Sequence, residues 1–493
     1  MRAITRRSLA AAWCISLASL VACTQDSPEP PDPIDTLTQP ERLAELELLI
    51  PALMDSGAVT GLSMAIVNDS GAVWMRGFGT RNAETGEPVD ENTVFEAASL
   101  SKPVFAYAVL QLVDEGILDL DTPLYEYWDY EYVPGDERYK QITPRMVLTH
   151  SPGFPNWRPN SGDLTIDLEP GTEFSYSGEG FGYLQLTIMQ MTSEPLQEFV
   201  QKRVFEPLGM TSSSYVWEDR FDSNTTVPHN ADGEATEKRK PRPGRGHAAA
   251  TLHTTASDFA RFLSAVMKKA DLLSDSTAAA MLTPQIDVDS GVTWGLGVGL
   301  QDTETGRGFW HWGDNTGYKA YTLTYPERGV GMIWFTNSEN GQTILQSLLD
   351  HTVGGEHPAV AWLGYEQYNS PTREVRETVW QNIDENGVAA GIRRYHELKQ
   401  IYPPEGFDEF VLNSLGYRLL SSERFDDAIA IFRLNIEEYP DAWNPYDSLG
   451  EAYMRAGDPE SAIEFYEKSL ELNPDNTGGK AMLVRIRGQH PGQ

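Results

Sequence analysis

The sequence predicts an α+β domain followed by an all-α domain. Strand-like runs stand at both ends of the region between about residues 60 and 335, with helical patterns between them, and the C-terminal part of the chain repeats itself. A single sheet built from both ends of one domain gives that order of elements, whereas alternating strands and helices would indicate a parallel sheet. At 493 residues, the chain is also too long for one compact domain.

The first 40 residues have the pattern of a targeting segment and a spacer. Basic residues precede an apolar stretch, Leu9 to Val21, that is too short to span a bilayer. This stretch ends in Leu20-Val21-Ala22-Cys23, which resembles the lipobox of bacterial lipoproteins. We therefore predict a lipoprotein signal peptide over residues 1–22, lipid attachment at Cys23 and a proline-rich, extended tether over residues 23–40. A plain secretory signal is the alternative.

These assignments predict an exported bacterial lipoprotein, facing the periplasm or the cell surface. The lipid would be its only contact with a membrane, because no later stretch is long and apolar enough for a membrane helix.

Composition excludes several classes of function. Lys and Arg number 38 against 72 Asp and Glu, a formal net charge of −34, and such an acidic surface repels the phosphates of nucleic acids. Cys14 and Cys23 both lie near the N-terminus, so the rest of the chain has no disulfide, thiol nucleophile or cysteine-based metal site. There is also no H-E-x-x-H pattern and no nucleotide-binding loop, so we expect neither a metal nor a cofactor.

The elements of the first domain, residues 41–355, follow from periodicity and turn residues. Leucines and isoleucine from Leu43 to Leu53 are spaced as one face of a helix. A second helix, from Lys102, is stopped by Gly116, and a third begins with Ser257 as its N-cap. The alternating or apolar runs predict five strands: 62–67, 73–78, 308–312, 319–325 and 330–335.

The second domain, residues 356–493, contains an internal repeat. Leu415-Gly416, Ala428, Phe432 and Pro440 recur 34 positions later as Leu449-Gly450, Ala462, Tyr466 and Pro474. This pattern resembles the tetratricopeptide repeat, a helix-turn-helix unit, and the alternative is an ordinary helical bundle. About three units are needed to bury a continuous core, so we expect a third unit, for which 387–402 is the candidate, or docking onto the first domain. The repeats are predicted to bind a protein or peptide partner.

Ser99-Leu100-Ser101-Lys102 carries the functional argument. Residues three apart lie on one face of a helix, so the Lys102 amine can reach the Ser99 hydroxyl. A neutral lysine can take the proton of the serine, which makes the hydroxyl a nucleophile. The competing interpretation is a serine N-cap followed by a solvated lysine. A lysine is unfavourable at a helix N-terminus, however, which favours the catalytic interpretation.

Two further motifs follow in order, Tyr176-Ser177-Gly178 and His311-Trp312-Gly313-Asp314. Together with the first motif, and with Leu148-Thr-His-Ser-Pro-Gly153 and Thr254-Thr-Ala-Ser-Asp258, they resemble the serine hydrolases related to class C β-lactamases and D-alanyl-D-alanine carboxypeptidases. The resemblance covers roughly residues 41 to 345. It implies a β-lactamase/transpeptidase-like fold, with an antiparallel sheet flanked by helices and a helical subdomain.

The resemblance also implies roles for individual residues. Ser99 would be the acylated nucleophile, Lys102 its base and Tyr176 the proton relay to the leaving group. His311 and Gly313 would form the third motif. The backbone N–H groups of Ser99 and Asp314 would form the oxyanion hole.

Departures from the family pattern predict the class of substrate. Gly178 stands where lactamases carry the asparagine that binds the lactam side-chain amide. His311 replaces a lysine that would bind a substrate carboxylate, and Trp312 replaces a small threonine. We therefore expect a small-molecule or peptide ester or amide as substrate. A β-lactamase, a D-alanyl-D-alanine carboxypeptidase or a D-aminopeptidase is the enzymatic alternative, and a catalytically inert adaptor whose repeats bind a partner is the other.

Overall fold

The computed structural model describes residues 33–158, 162–236, 242–268 and 272–489. It divides into a sheet domain, residues 33–368, and a helical array, residues 371–489. The predicted signal peptide and lipid-bearing Cys23 lie outside the described residues, so both stay predictions. In the described ranges, no helix has the length and apolar character needed to cross a membrane.

Nine of the strands form one antiparallel sheet in the order β3-β2-β1-β11-β10-β9-β8-β7-β6, and β4 pairs with β5. In chain order the strands are β1 Gly61–Asn68, β2 Gly71–Asn82, β3 Glu87–Pro88, β4 Phe95–Glu96, β5 His253–Thr254, β6 Ile286–Asp289, β7 Val292–Trp294, β8 Gly299–Thr303, β9 Gly306–Asn315, β10 Tyr318–Tyr325 and β11 Val330–Thr336. Leu62 of β1 lies opposite Thr336 of β11. The prediction of one sheet from both ends of the domain is therefore confirmed.

Helices cover both faces of this sheet. In chain order they are α1 Pro33–Thr36, α2 Pro40–Gly57, α3 Ser101–Asp114, α4 Leu124–Tyr127, α5 Pro144–Leu148, α6 Gly178–Thr192, α7 Leu196–Val200, α8 Glu206–Leu208, α9 Ala256–Lys268, α10 Asp275–Met281, α11 Leu345–Thr352 and α12 Pro358–Leu363. Successive side chains of β1 point to opposite faces of the sheet. Met64 belongs to the hydrophobic core that includes residues of α2 and α11, whereas Ala65 belongs to the core that includes residues of α3 and α9. Burial on both faces explains why β1 is apolar almost throughout.

Two sequence predictions about helix starts and the tether are wrong in detail. Helix α9 begins at Ala256, and Thr255 rather than Ser257 accepts the capping hydrogen bond, from the N–H of Asp258 at 3.1 Å. The tether was predicted to extend to residue 40, but Pro33–Thr36 is helical. Ile34 and Leu37 are buried in the sheet-domain core. Two apolar side chains among prolines are enough to dock the last part of this segment.

The predicted domain boundary at residue 355 is also too early. Helix α12 was assigned to the second domain, yet Ala359 and Val360 are buried against the sheet beside Trp294 and Trp310. We call residues 358–368 the connector. It belongs to the sheet domain, and the array begins only at residue 371.

The helical array contains three antiparallel helix pairs and one final helix among the described residues. These are α13 Pro371–Asn386 with α14 Val388–Leu398, α15 Glu409–Ser421 with α16 Phe425–Glu438, α17 Asn444–Ala456 with α18 Pro459–Leu472, and lastly α19 Thr477–Gln489. The expected third unit exists, but it starts at residue 371 rather than 387. The array also docks on the sheet domain, where Arg418 pairs with Asp232 and the Arg373 guanidinium donates to the Gly57 carbonyl at 3.3 Å.

Small residues set the closeness of the helices within each pair, which leads to a stability prediction. A Cβ on Gly416 would lie 2.4 Å from the buried Phe432 ring, whereas one on Gly450 would lie 3.1 Å from Tyr466. We expect Gly416→Ala to lower the free energy of unfolding of the array by about 1–2 kcal/mol despite the better helix propensity of alanine. Gly450→Ala is the matched control, with a smaller expected effect. Equal urea midpoints for both variants would contradict the prediction.

Candidate active site

The candidate nucleophile lies at a strained turn that leads into α3. Ser99 is half-buried in the single 3-10 turn Ala98–Leu100, and Ala98 has a φ of 48°, in the left-handed region that disfavours a non-glycine residue. The Ser101 hydroxyl fixes this turn because it donates to the Ala98 carbonyl at 2.6 Å and accepts from the Leu252 N–H at 3.0 Å. The surrounding core thus holds the Ser99 hydroxyl in one place.

Lys102 lies beside this hydroxyl in the interior of the protein. Its Nζ is 2.9 Å from Ser99 Oγ and donates to the Ala249 carbonyl at 3.0 Å. The residue is only 1% exposed, and burial lowers the pKa of Lys102 well below its usual 10.5. Burial therefore favours the uncharged amine, although the chain as a whole is strongly acidic. A base at this position requires such a site, from which water is excluded.

Tyr176 brings a phenol to the same point from the segment between α5 and α6. Lys102 Nζ lies 4.6 Å from the centre of the Tyr176 ring. The phenol oxygen is buried near Ser99 and makes no hydrogen bond within the described residues. Burial raises the pKa of Tyr176 far above its ordinary value, so the phenol keeps its proton. His150 and Trp312 pack against the ring at centroid distances of 4.1 and 4.6 Å.

The end of β9 completes the group. Strand β8 pairs with β9 only as far as Trp310, so residues 311–315 run past β8 and lie against the Ser99 turn. A Cβ on Gly313 would meet the Ala97 carbonyl oxygen at 2.5 Å, so only glycine permits this approach. Ser99, Lys102, Tyr176 and the third motif, which are far apart in sequence, therefore converge on one place.

His311 is in this group but carries no charge. It is fully buried, and burial lowers its pKa to about 3. Its Nδ1 lies 2.8 Å from the Trp312 carbonyl, so a neutral ring holds its proton on Nδ1 and leaves Nε2 as an acceptor. No described residue hydrogen bonds to that Nε2. His311 cannot supply the fixed positive charge that a lysine would give here.

Gly178 contributes backbone only. Its N–H donates to Asn156 Oδ1 at 3.0 Å, and a Cβ would lie 2.8 Å from the Trp157 ring. The neighbouring loop thus occupies the space where a longer side chain at position 178 would project. The Asp314 carboxylate has two donors. Lys319 Nζ lies 2.8 Å from its Oδ1, and the Tyr365 hydroxyl donates to its Oδ2 at 2.5 Å.

Several residues of the site are not found by reasoning from the sequence motifs. The three motifs give His150 no role, yet its ring lies against Tyr176, and its Nδ1 accepts from the Ser177 N–H at 3.0 Å. Its position in Leu148-Thr-His-Ser-Pro-Gly153 is the signal that could have found it. The Ala249 carbonyl, Trp157 and the connector give no such signal, because they reach the site through long-range packing.

A cavity of about 250 Å³ opens next to the end of β9. Asn315 and Ala250 are in its wall, one residue beyond Asp314 and Ala249, respectively. Charged side chains of both signs, including Arg81 and Glu96, line the rest. Across the described ranges, no cluster of three or more His, Cys, Asp or Glu residues could hold a metal ion.

Comparison with known proteins identifies both parts of the chain. The family model described as Beta-lactamase matches residues 46–351, and the tetratricopeptide repeat model matches residues 448–476. Penicillin-binding protein 4 of Amycolatopsis lactamdurans is 24% identical over 62% of this chain and 87% of its own length. Esterase EstB of Burkholderia gladioli is 26% identical over 52% and 78%, respectively.

A solved structure supports the fold. The octameric penicillin-binding protein homologue from Pyrococcus abyssi superposes with a TM-score of 0.55 at 23% identity, covering 69% of this chain and 82% of that one.

Proposed function

The chain belongs to the β-lactamase family, and from that membership we propose that it is a serine hydrolase that cleaves carboxylic esters or amides through an acyl-enzyme on Ser99. One observation carries the proposal: Lys102 Nζ lies 2.9 Å from Ser99 Oγ, and burial lowers the pKa of the amine, which favours its uncharged form. A buried, neutral amine beside a hydroxyl has a free lone pair for the hydroxyl proton.

Acylation begins with that proton transfer. As Ser99 Oγ attacks the substrate carbonyl carbon, its proton moves to Lys102 Nζ, and the carbonyl oxygen becomes an oxyanion. The backbone N–H groups of Ser99 and Asp314 would donate to this oxyanion, a type of stabilisation worth about 3 kcal/mol for each donor. The approach of Gly313 to Ala97 is what brings these two backbone segments together.

Tyr176 would then deliver a proton to the departing group. Its phenol is protonated and lies beside both Ser99 and Lys102, so it can pass a proton to the leaving alkoxide or amine and take one from the Lys102 ammonium. The alcohol or amine leaves, and the acyl group stays on Ser99 Oγ. In deacylation, water attacks the acyl carbon and gives its proton to the Lys102 and Tyr176 pair. Ser99 Oγ then leaves and takes back a proton, which gives the carboxylic acid and free Ser99.

The charges around the site favour esters and uncharged amides over β-lactams. A β-lactam brings a carboxylate that needs a cation, but His311 is neutral, and Lys319 is bound to Asp314 and Glu339 at 2.8 and 2.7 Å. Asp314 itself is anionic and would repel a substrate carboxylate. The relatives are named as both penicillin-binding proteins and an esterase, so the comparisons alone leave this choice open.

A substrate panel and a covalent probe test the proposal together. The full chain is assayed with p-nitrophenyl esters, a chromogenic cephalosporin and D-amino-acid amides, beside a Ser99→Ala blank. Ser99 Oγ should attack the phosphorus of a fluorophosphonate probe and expel fluoride, which leaves the phosphonyl group on the peptide that contains Ser99, detectable by mass spectrometry. We expect labelling and ester hydrolysis. Fast cephalosporin turnover would establish the lactamase alternative, and an unlabelled folded chain would establish the inert adaptor.

Position 178 provides a second prediction about specificity. Gly178→Asn restores the side chain that lactamases carry, but its Cβ would lie 2.8 Å from the Trp157 ring. We expect ester hydrolysis to fall about 3- to 10-fold as the loop shifts, with no gain of cephalosporin hydrolysis. Gly178→Asn combined with Trp157→Ala should recover ester hydrolysis. A gain of cephalosporin hydrolysis in the single variant would contradict the charge argument above.

We further propose that the helical array binds a protein or peptide partner, since tetratricopeptide repeats commonly do so and one repeat is matched at residues 448–476. A chain that ends at residue 369 lacks the array but keeps residues 358–368. It therefore separates partner binding from hydrolysis better than a chain that ends at the predicted boundary, residue 355. Full ester hydrolysis with loss of a co-purifying partner supports the proposal. Retention of the partner by the shortened chain opposes it.

A further inference from the structure

The connector lies beyond the residues that the family model matches, yet it contacts Trp312 and Asp314 of the third motif. The match ends at residue 351, whereas the connector spans residues 358–368. The connector is held at both ends, because Ala359 and Val360 are buried under the sheet and the Tyr368 N–H donates to the Thr343 carbonyl at 2.9 Å. Its middle residues are therefore fixed relative to the sheet.

Trp362 places the connector one ring away from Tyr176. The Trp362 ring lies 5.7 Å from that of Trp312, and Trp312 packs on Tyr176 at 4.6 Å. Phe174 closes the other side of Trp362 at 5.9 Å. The connector thus supports the aromatic layer on which the phenol rests.

Tyr365 reaches the site through Asp314. Its hydroxyl donates to Asp314 Oδ2 at 2.5 Å, while Lys319 Nζ reaches Oδ1 at 2.8 Å, so each carboxylate oxygen has its own donor. Burial and the Asp314 carboxylate raise the pKa of Tyr365 well above its usual value, so the phenol remains a donor throughout the working pH range.

The control of this carboxylate matters because of where it is attached. The backbone N–H of Asp314 is the proposed second oxyanion donor. The carboxylate of the same residue therefore places a negative charge close to the oxyanion that develops in the transition state. Like charges in a poorly solvated site repel, and the repulsion is greatest in the transition state. Two donors that hold the carboxylate and spread its charge reduce that cost.

We propose that Tyr365 is a positioning residue of the active site, whose hydroxyl holds the Asp314 carboxylate away from the oxyanion hole and keeps the end of β9 aligned with Ser99. This inference rests on the proposed function. It assigns an active-site role to a residue of the segment that joins the sheet domain to the array.

The test compares two tyrosines of the same connector in the full chain. Tyr365→Phe removes the hydroxyl on Asp314, and Tyr368→Phe is the matched control. We expect Tyr365→Phe to lower kcat on a p-nitrophenyl ester, and the rate of fluorophosphonate labelling, about 10-fold with KM changed less than about twofold. Tyr368→Phe should leave all three unchanged. In an Asp314→Asn background, adding Tyr365→Phe should change kcat by less than about twofold, because no carboxylate remains to be held.

Each outcome decides the matter. A Tyr365→Phe variant with wild-type kcat, or one whose loss persists in the Asp314→Asn background, overturns the inference while leaving the proposed function intact. A wild-type chain that is neither labelled nor active overturns the proposed function and this inference with it. Should Tyr365→Phe fail to fold, Asp314→Asn alone is informative: we expect about threefold faster labelling, since a charge opposed to the oxyanion is gone, and slower labelling overturns the inference.

Discussion

Replacement of Lys102 by methionine is expected to lower kcat on an ester substrate by about 1,000-fold, because a positioned general base contributes about 10²- to 10⁴-fold. Methionine has nearly the same length and is apolar, so it fits a site that is 1% exposed. Lys102→Arg should not recover activity, since a guanidinium stays charged. Lys268→Met, at the exposed end of α9, is the control and should be unaffected.

The same variant should also change how stability depends on pH. Burial lowers the pKa of Lys102 in the folded state below 10.5, so unfolding takes up a proton at any pH between those two values. The free energy of unfolding contributed by this group therefore falls as the pH decreases from 10.5 towards the lowered pKa, and rises in the opposite direction. Urea unfolding of Lys102→Met should lack this rise with pH. An identical pH profile in both proteins would show that Lys102 is charged in the fold, which would contradict the proposed mechanism.

Gly313→Ala is expected to lower kcat about 100-fold while leaving the fold intact, since the loss of one oxyanion donor costs about 10²- to 10³-fold. The added Cβ would meet the Ala97 carbonyl oxygen at 2.5 Å and the Ala98 Cβ at 3.3 Å. Both belong to the backbone that carries Ser99, so the end of β9 must move away from the nucleophile. The measurement is kcat together with a thermal melting curve.

Gly308→Ala provides the matched control on the same strand. Its Cβ would approach the side chains of Leu323 and Tyr325 at 3.0 and 3.1 Å, away from the Ser99 turn. We expect a slightly lower melting temperature and an almost unchanged kcat. If both variants lose activity equally, the effect at Gly313 is a general distortion of β9 rather than the loss of an aligned donor.

Local pattern was sufficient to predict many elements of the sheet domain. The leucines of α2, the glycine after the helix that begins near Lys102, and the alternating or apolar runs of the strands each predicted an element that the structure contains. The spacing of Ser99 and Lys102 likewise placed both side chains on one helical turn, because that geometry depends only on the helix itself.

What the sequence could not predict depends on contacts between distant residues. Pro358-Ala-Val-Ala-Trp-Leu363 is a short apolar run that could belong to either domain, and only its burial beside Trp294 and Trp310 decides the matter. Ile34 and Leu37 stand among prolines, and their local pattern does not show that they dock on the sheet domain. The charge state of His311 depends on complete desolvation, which no sequence window contains.

The pairing of β1 with β11 has a consequence for how the protein is made. Leu62 pairs with Thr336, so β1 and β11 cannot pair in the middle of the sheet until most of the sheet domain has been synthesised. Contacts this distant in sequence slow folding and leave apolar strands uncovered in the meantime, whereas each helix pair of the array forms from neighbours. The unfolded chain is therefore expected to depend on chaperones until β11 is available to pair with β1. The C-terminal repeats are expected to fold with little delay afterwards.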